Sequence, residues 1–290
     1  MWFWFAFGSA ILGAFDVILN KKLLHKVSAA VLTWSLFALT LPIVAAIVLL
    51  SGPPSINQLF FVGVFGSAFS FVFAKTIINE TLKQNLISKV FPLTAFGGFF
   101  TYIFALLLLS ETIRPIPVLG LSTIVAGSYF LNLDMARESF LKPFKVLFSS
   151  KASLLYLFAI MLSSITSVFD KMGIISTAPN SPVFVMLIEQ ATMSALLFLF
   201  LVKKEKATWL PELKGNFGFL FLNSLLFLVV SFLVFYAFVT GPVALAMAVK
   251  RLQIFFILIL SILFFKEKPA RHVWISTAIM ILGAILIKVG

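Results

Sequence analysis

The sequence predicts an all-α integral membrane protein with ten transmembrane helices arranged as two inverted five-helix repeats. Three observations carry that prediction: an apolar composition, ten separate runs of membrane-spanning length, and a basic bias that alternates between equivalent loops. Of the 290 residues, 61% are hydrophobic and 11% charged, and the mean hydropathy is +1.13. An average soluble domain has about 45–50% apolar and about 25% charged residues. No soluble core of this size hides so much apolar surface, so lipid has to be the solvent. The excess recurs from end to end, unlike a cleaved leader or a single anchor.

A helix of about 20 apolar residues crosses the bilayer core. The first five such runs are Trp2–Asn20, Ala29–Leu50, Leu59–Asn79, Asn85–Leu109 and Pro115–Leu133. A polar, basic stretch from Asp134 to Ser153 follows, with Arg137, Lys142, Lys145 and Lys151. The second five are Leu154–Ile174, Pro182–Val202, Phe217–Thr240, Pro242–Phe265 and Val273–Val289. The expected units are therefore a first repeat over residues 1–134, a connecting loop over 135–153 and a second repeat over 154–290. The remaining loops are too short to hold a soluble domain. Pro42, Pro92, Pro115 and Pro242 mark bends or helix starts, with Pro92 a candidate hinge in the fourth helix. Trp2 and Trp4 near a helix end, and Trp209 in a loop, read as interface anchors.

The two sets of five look like copies. A shift of 154 positions places Ser9, Ile11, Phe15 and Asp16 on Ser163, Ile165, Phe169 and Asp170. Ser9, Gly13 and Asp16 share one helix face, which Ser163, Ser167 and Asp170 repeat. Near the end of each half, Glu111 precedes Gly127 by the same interval that separates Glu267 from Gly283. A duplicated unit with five crossings sets its second copy upside down, so equivalent loops carry opposite charge bias. Lys21, Lys22, His25 and Lys26 follow the first helix, whereas Gly173–Ser181 after the sixth is uncharged. Ser51–Gln58 is uncharged, whereas Lys203, Lys204, Lys206 and Lys214 follow the seventh. The basic loops after helices one, five, seven and nine face the cytoplasm on this reading, and both termini lie outside.

With these features the whole chain resembles the ten-helix EamA-type branch of the drug/metabolite transporter superfamily. That resemblance rests on Leu107–Glu111 with Gly120 and Gly127, and on Phe264–Glu267 with Gly283. It implies a central cavity between helices one to four and six to nine, peripheral fifth and tenth helices, and alternating access by rocking of the halves. Family members are generally drawn with cytoplasmic termini, the reverse of what the loop charges here indicate. Substrates across the superfamily are diverse, so the resemblance leaves the cargo open.

Charge inside lipid costs from about 2.5 kcal/mol upward, so it pairs or serves a pathway. Asp170 and Lys171 are expected about one turn from the outer end of helix six, and Glu189 about 10 Å below the outer start of helix seven. Lys250 and Arg251 are expected about 12 Å below the outer start of helix nine. These five have three readings: a buried ion network joining the helices, a site for a carboxylate or phosphate at Lys250 and Arg251, or a proton-coupling or cation site. A Lys-Arg pair in the ninth helix is similar to the triose-phosphate translocator branch, which implies phosphate contact for Lys250 and Arg251. Asp16 sits in the cytoplasmic quarter of helix one, and Lys75 and Lys89 read as snorkelling to that interface. Asp16 and Asp170, each paired with a lysine or arginine, would form two mirrored latches, with Lys171 beside the second. Gln253 shares the Lys250 face. Tyr236, Trp34, Asn223 and Gln190 are further candidates for the cavity wall, although interhelical hydrogen bonding explains Asn and Gln equally well.

The chain has no cysteine, which excludes disulfides, thiolate metal sites and cysteine nucleophiles. Its two histidines, His25 and His272, fall in loops, and no P-loop is present. No enzyme, metal or cofactor is expected, and no nucleic acid partner, because the basic residues are topology signals. The expected partners are the lipid bilayer of the cell (inner) membrane, a small-molecule substrate and a coupling proton. A monomer suffices, since both halves of the cavity lie in one chain; a dimer is compatible. The function expected first is carriage of a small anionic or zwitterionic metabolite bearing phosphate or carboxylate. Proton-coupled export of cationic compounds or amino acids comes second, and a non-transporting assembly component third.

Overall fold

The computed structural model describes residues 1–84, 96–130, 151–204, 209–265 and 271–290. The stretch from Asp134 through Lys145, and Lys89, Pro92, Lys206 and Glu267, lie outside them. In chain order the elements are α1 (Trp2–Leu24), α2 (Ala29–Ala38), α3 (Leu41–Ser51), β1 (Ser55–Ile56), α4 (Gln58–Gln84), α5 (Phe96–Leu109), α6 (Pro115–Phe130) and α7 (Lys151–Ile175). Then come β2 (Thr177–Ala178), α8 (Pro182–Lys204), α9 (Trp209–Gly215), α10 (Phe217–Thr240), α11 (Val243–Lys250), α12 (Gln253–Phe265) and α13 (Arg271–Val289). Six described spans have the length and hydropathy to cross a membrane: Trp2–Leu24, Ala29–Ser51, Gln58–Thr81, Ser153–Ile175, Pro182–Lys203 and Phe217–Thr240. Phe96–Leu109, Pro115–Gly127 and Trp274–Val289 are shorter apolar helices. Large apolar side chains such as Leu49, Phe73 and Leu107 stand mostly exposed on the outside of the bundle, as lipid-facing surfaces must.

Two expected single helices are divided. The second run breaks after Ala38, where Pro42 enters the first turn of α3 without an N–H to donate. There Thr40 Oγ1 donates back to Leu36 O at 3.0 Å, a bond that often bends helices. The ninth run breaks at Arg251–Leu252. Leu252 N donates to Val249 O and Ile254 N to Arg251 O, both at 3.0 Å, which is the tighter 3₁₀ spacing. The third run is longer than expected and continues to Gln84.

The helices pair across the two halves of the chain. The closest associations are α4 with α7, α1 with α10 and α6 with α13, followed by α5 with α7 and α2 with α8. Glycine permits the first of these, because a Cβ at Gly63 would stand 2.5 Å from the Gly173 nitrogen and 2.9 Å from the Phe169 oxygen. The buried core is aliphatic and aromatic, centred on residues such as Phe60, Val64, Met186, Phe238 and Leu245.

Each end of the bundle is tied. At one end β1 and β2 pair antiparallel, Ser55 opposite Ala178 and Ile56 opposite Thr177. Nearby, Lys171 Nζ donates to Glu111 Oε1 at 2.5 Å and to Gly241 O at 2.8 Å, and Val243 N donates to Glu111 Oε2 at 3.0 Å. At the other end Ser28 N donates to Glu212 Oε2 at 2.7 Å. Trp209 there is not a loop residue. It opens the short helix α9 and meets Trp34 edge to face, with ring centroids 5.8 Å apart.

Candidate functional site

Two cavities lie end to end along the bundle axis. The larger, about 190 Å³, is lined by Asp16 and Asn20 of α1, Lys75 and Asn79 of α4, Tyr156 of α7, and Lys250, Arg251 and Gln253 around the break between α11 and α12. The smaller, about 110 Å³, is lined by Ser67 of α4, Asp170 of α7, and Glu189 and Gln190 of α8. Phe71, Ser163, Phe227, Val230, Met247 and Lys250 line both and form the wall between them.

The break in the ninth run positions the cations. Arg251 caps α11 and its guanidinium packs directly on Gly97 at the start of α5, where no Cβ stands in the way. Its Nε is buried without a hydrogen-bond partner among the described residues. Gln253 donates from Nε2 to Gly13 O at 2.9 Å. Lys75 holds its Nζ 5.3 Å from the centre of the Phe227 ring, a cation–π contact that steadies a charge in a poorly hydrated site. Asp16 accepts from Asn20 Nδ2 at 2.8 Å, and Asn20 Oδ1 in turn accepts from Asn223 at 3.1 Å. The other Asp16 oxygen is buried and unpartnered. Among the described residues three cationic side chains thus face one carboxylate, a formal surplus of two positive charges in the larger cavity.

In the smaller cavity Ser67 Oγ donates to Asp170 Oδ1 at 2.5 Å. Glu189 lies within hydrogen-bonding reach of Asp170 and Ser67, and its Oε1 is buried without a partner. Thr40 donates to Gln190 Oε1 at 3.5 Å.

The sequence-derived candidates divide accordingly. Asp16, Lys250, Arg251 and Gln253 meet in one cavity, and Asp170 and Glu189 in the other. Lys171 belongs to neither. One residue on from Asp170, it is turned about 100° around α7 and forms its ion pair with Glu111, so the expected cluster of five separates. Tyr236 is also outside both cavities, 41% exposed and against Phe5. Its neighbour Phe235 lines the smaller cavity, and the same rotation turns Tyr236 away. Trp34 packs between Phe198 and Trp209 rather than on a cavity. The two latches are not closed ion pairs, since among the described residues no nitrogen–oxygen approach within 4.0 Å joins Asp16 to Lys75 or Asp170 to Lys250.

Lys75 corrects the snorkelling expectation. With α4 running to Gln84, it lies about 14 Å from the helix end and is directed inward, onto the larger cavity. Asn20, Ser67 and Tyr156 went unnoticed as site residues, because small polar groups and tyrosine in apolar runs give no distinct pattern. The signal available for Asn20 was its position one turn beyond Asp16.

Residues 150–289 match the model of the EamA-like transporter family. A search of curated proteins finds no match. Among solved structures 28 chains match. One, described only as "Crystal structure of protein", is 17% identical with a TM-score of 0.72, covering 98% of this chain and 96% of its own. At that identity the likeness speaks for the fold alone. Residues 150–289 thus match the EamA-like transporter family, part of the drug/metabolite transporter superfamily, and the chain is a multi-pass membrane protein of the transporter type that this match indicates.

Proposed function

We propose that this protein is a secondary transporter carrying a small anionic or zwitterionic metabolite, bearing phosphate or carboxylate, by alternating access. One observation carries the reading: Lys75, Lys250 and Arg251 converge on a single cavity inside the bundle, where Asp16 is the one carboxylate among the described residues to balance them. Uncompensated cations are costly away from water. A bound anion relieves that cost, with Arg251 offering a planar fork and the lysines point charges. Gln253 and Asn20 add neutral polar groups beside the charge. The transporter needs no cofactor, and a monomer suffices.

The ten-helix, twice-repeated plan, with units 1–134 and 154–290 joined by 135–153, is part of the proposal. Exchange-related pairings support it: α1 of the first half against α10 of the second answers α7 of the second against α4 of the first. The glycines support it more sharply. A Cβ at Gly127 would stand 2.9 Å from Ser276 O and 3.0 Å from Met280 N. A Cβ at Gly283 would stand 2.7 Å from Gly120 O and 2.9 Å from Ile124 N. The shift that carries Gly127 onto Gly283 also carries Gly120 onto Ser276 and Ile124 onto Met280, so one contact occurs twice. Asp16 and Asp170 likewise each line one of the two cavities. We assign the protein to the cell (inner) membrane, with its basic loops cytoplasmic and its termini outside.

A second reading, a proton-coupled exporter of cationic compounds, draws on Asp170 and Glu189 in the smaller cavity. Thermal unfolding against matched panels of phosphorylated, carboxylated, zwitterionic and cationic metabolites separates the two. A ligand that binds only the folded state adds about 2.7 kcal/mol at a hundredfold excess over Kd. Stabilisation by anions that disappears in Lys250→Ala supports the anion carrier. Stabilisation by cations alone, or an anion response that survives Lys250→Ala, overturns it.

A further inference from the structure

The smaller cavity poses a problem of its own. Asp170 and Glu189 are both buried, and their carboxyl groups are within hydrogen-bonding reach of each other. Ionised carboxylates only accept hydrogen bonds, so two of them can bond to each other only if one carries a proton. Ser67 supplies a single hydroxyl donor, already given to Asp170 at 2.5 Å. Glu189, only 3% exposed, lines the cavity and keeps its Oε1 buried without a partner among the described residues. Among the described residues Lys250 is the one cation in the wall, and it forms no ion pair with either carboxyl.

Lys250 also lines the larger cavity. The other charged or titratable groups that face it there are Asp16 of α1, Lys75 of α4, Tyr156 of α7 and Arg251 at the end of α11. Lys171, the nearest cation along α7, is occupied by Glu111 and Gly241. Among the described groups, Lys250 is therefore the charged link between the carboxyl pair and the larger cavity.

We propose that Asp170 and Glu189 share one proton as the coupling site of the transporter, and that Lys250 makes proton and anion bind together, so that the two move in the same direction. This rests on the anion reading of the larger cavity. With that cavity empty, the positive field of Lys250 holds the shared proton at partial occupancy near neutral pH. An anion on Lys250 and Arg251 cancels that field, and a proton then adds to the pair to offset the negative charge left in a poorly hydrated interior. Linkage makes the effect reciprocal: a protonated pair strengthens anion binding by the factor with which the anion strengthens proton binding. A bare ammonium is disfavoured in the same place by Lys250 itself.

Two measurements test this on the purified full-length protein. The first is the infrared carboxylic-acid band, which needs no ligand. We expect a band at neutral pH that is lost in both Asp170→Asn and Glu189→Gln but kept in Asp16→Asn, with folding of each variant checked by its unfolding transition. A band unchanged by both substitutions overturns the shared proton. The second is calorimetric titration with inorganic sulfate, which stays doubly charged, in two buffers of different ionisation enthalpy. We expect proton uptake on binding, an affinity that rises on the order of tenfold per pH unit of acidification at most, and no proton uptake in Glu189→Gln. Sulfate binding without proton uptake overturns the coupling and leaves the anion cavity standing. Sulfate that fails to bind overturns the anion cavity and the coupling with it, while the infrared band still decides whether the pair holds a proton.

Discussion

Arg251 depends on a residue that contributes no side chain. Its guanidinium rests where the Cβ of any other residue at position 97 would be, whereas a Cβ at Gly98 would meet only the ends of the Leu121 and Val125 side chains, at 3.3 and 3.6 Å. Gly97→Ala should therefore push Arg251 out of the larger cavity and weaken anion binding about tenfold or more, the loss of roughly one charge-assisted hydrogen bond. Gly98→Ala should bind normally and gain at most about 1 kcal/mol from helix propensity. Titrating both variants with the anion identified by thermal unfolding checks this; equal affinities would remove Gly97 from the site. Asp16 and Lys75 show the same dependence on surroundings. Their chemistry in the cavity comes from Asn20 on one side and the Phe227 ring on the other.

Among the elements, the short β1–β2 ladder and the α11–α12 break do different work. The ladder clasps the ends of α3 and α7 with little else across it, beyond Ser55 Oγ donating to Ala178 O at 3.0 Å and Asn57 N donating to Ser176 O at 3.2 Å. If the halves rock, this end must part. The chain has no cysteine, so Ser55→Cys with Ala178→Cys introduces one defined pair. Facing residues of an antiparallel ladder have Cα atoms about 4.5–5.5 Å apart, within the span a disulfide bridges. Oxidation should form the bridge and stop transport of the identified anion, and reduction should restore it. Full transport by the cross-linked protein would show that this end need not open. The α11–α12 break serves positioning: it places Lys250 on the wall of both cavities and Arg251 in the larger one.

For the whole molecule, orientation follows from loop charge rather than from any contact. Lys21, Lys22 and Lys26 lie at the same end as Lys203 and Glu212, since Ser28 binds Glu212 across it. The β1–β2 end carries no charge in its strands. The orientation we propose, from the positive-inside rule, sets the basic end in the cytoplasm. Single cysteines at Lys26 or Lys203 should react with an impermeant maleimide only in opened cells, and a cysteine at Ser51 in intact cells. The reverse pattern would invert the orientation while leaving both cavities unchanged. Because the larger cavity lies toward the basic end and the smaller toward the ladder, orientation also decides which compartment each cavity adjoins.

Much of this was legible before any coordinates. Composition and run length dictate the solvent and the helices, because lipid leaves no water to satisfy an open backbone. Loop charges carry the proposed orientation, because the positive-inside bias acts without packing. Asp16, Asp170, Glu189, Lys250 and Arg251 stood out because charge is rare and costly in apolar runs. Packing alone settled which of them meet. Successive residues of a helix point about 100° apart, so Asp170 enters a cavity while Lys171 turns to Glu111, and Phe235 lines a wall while Tyr236 faces outward. Helix length and breaks are likewise matters of context. Five further residues on α4 turn Lys75 from an interface lysine into a cavity one, and a two-residue interruption after Lys250 directs Arg251 onto Gly97. Hydrophobicity along a chain records how deep each residue sits in the membrane; the rotation of one helix against another is recorded only where their surfaces touch.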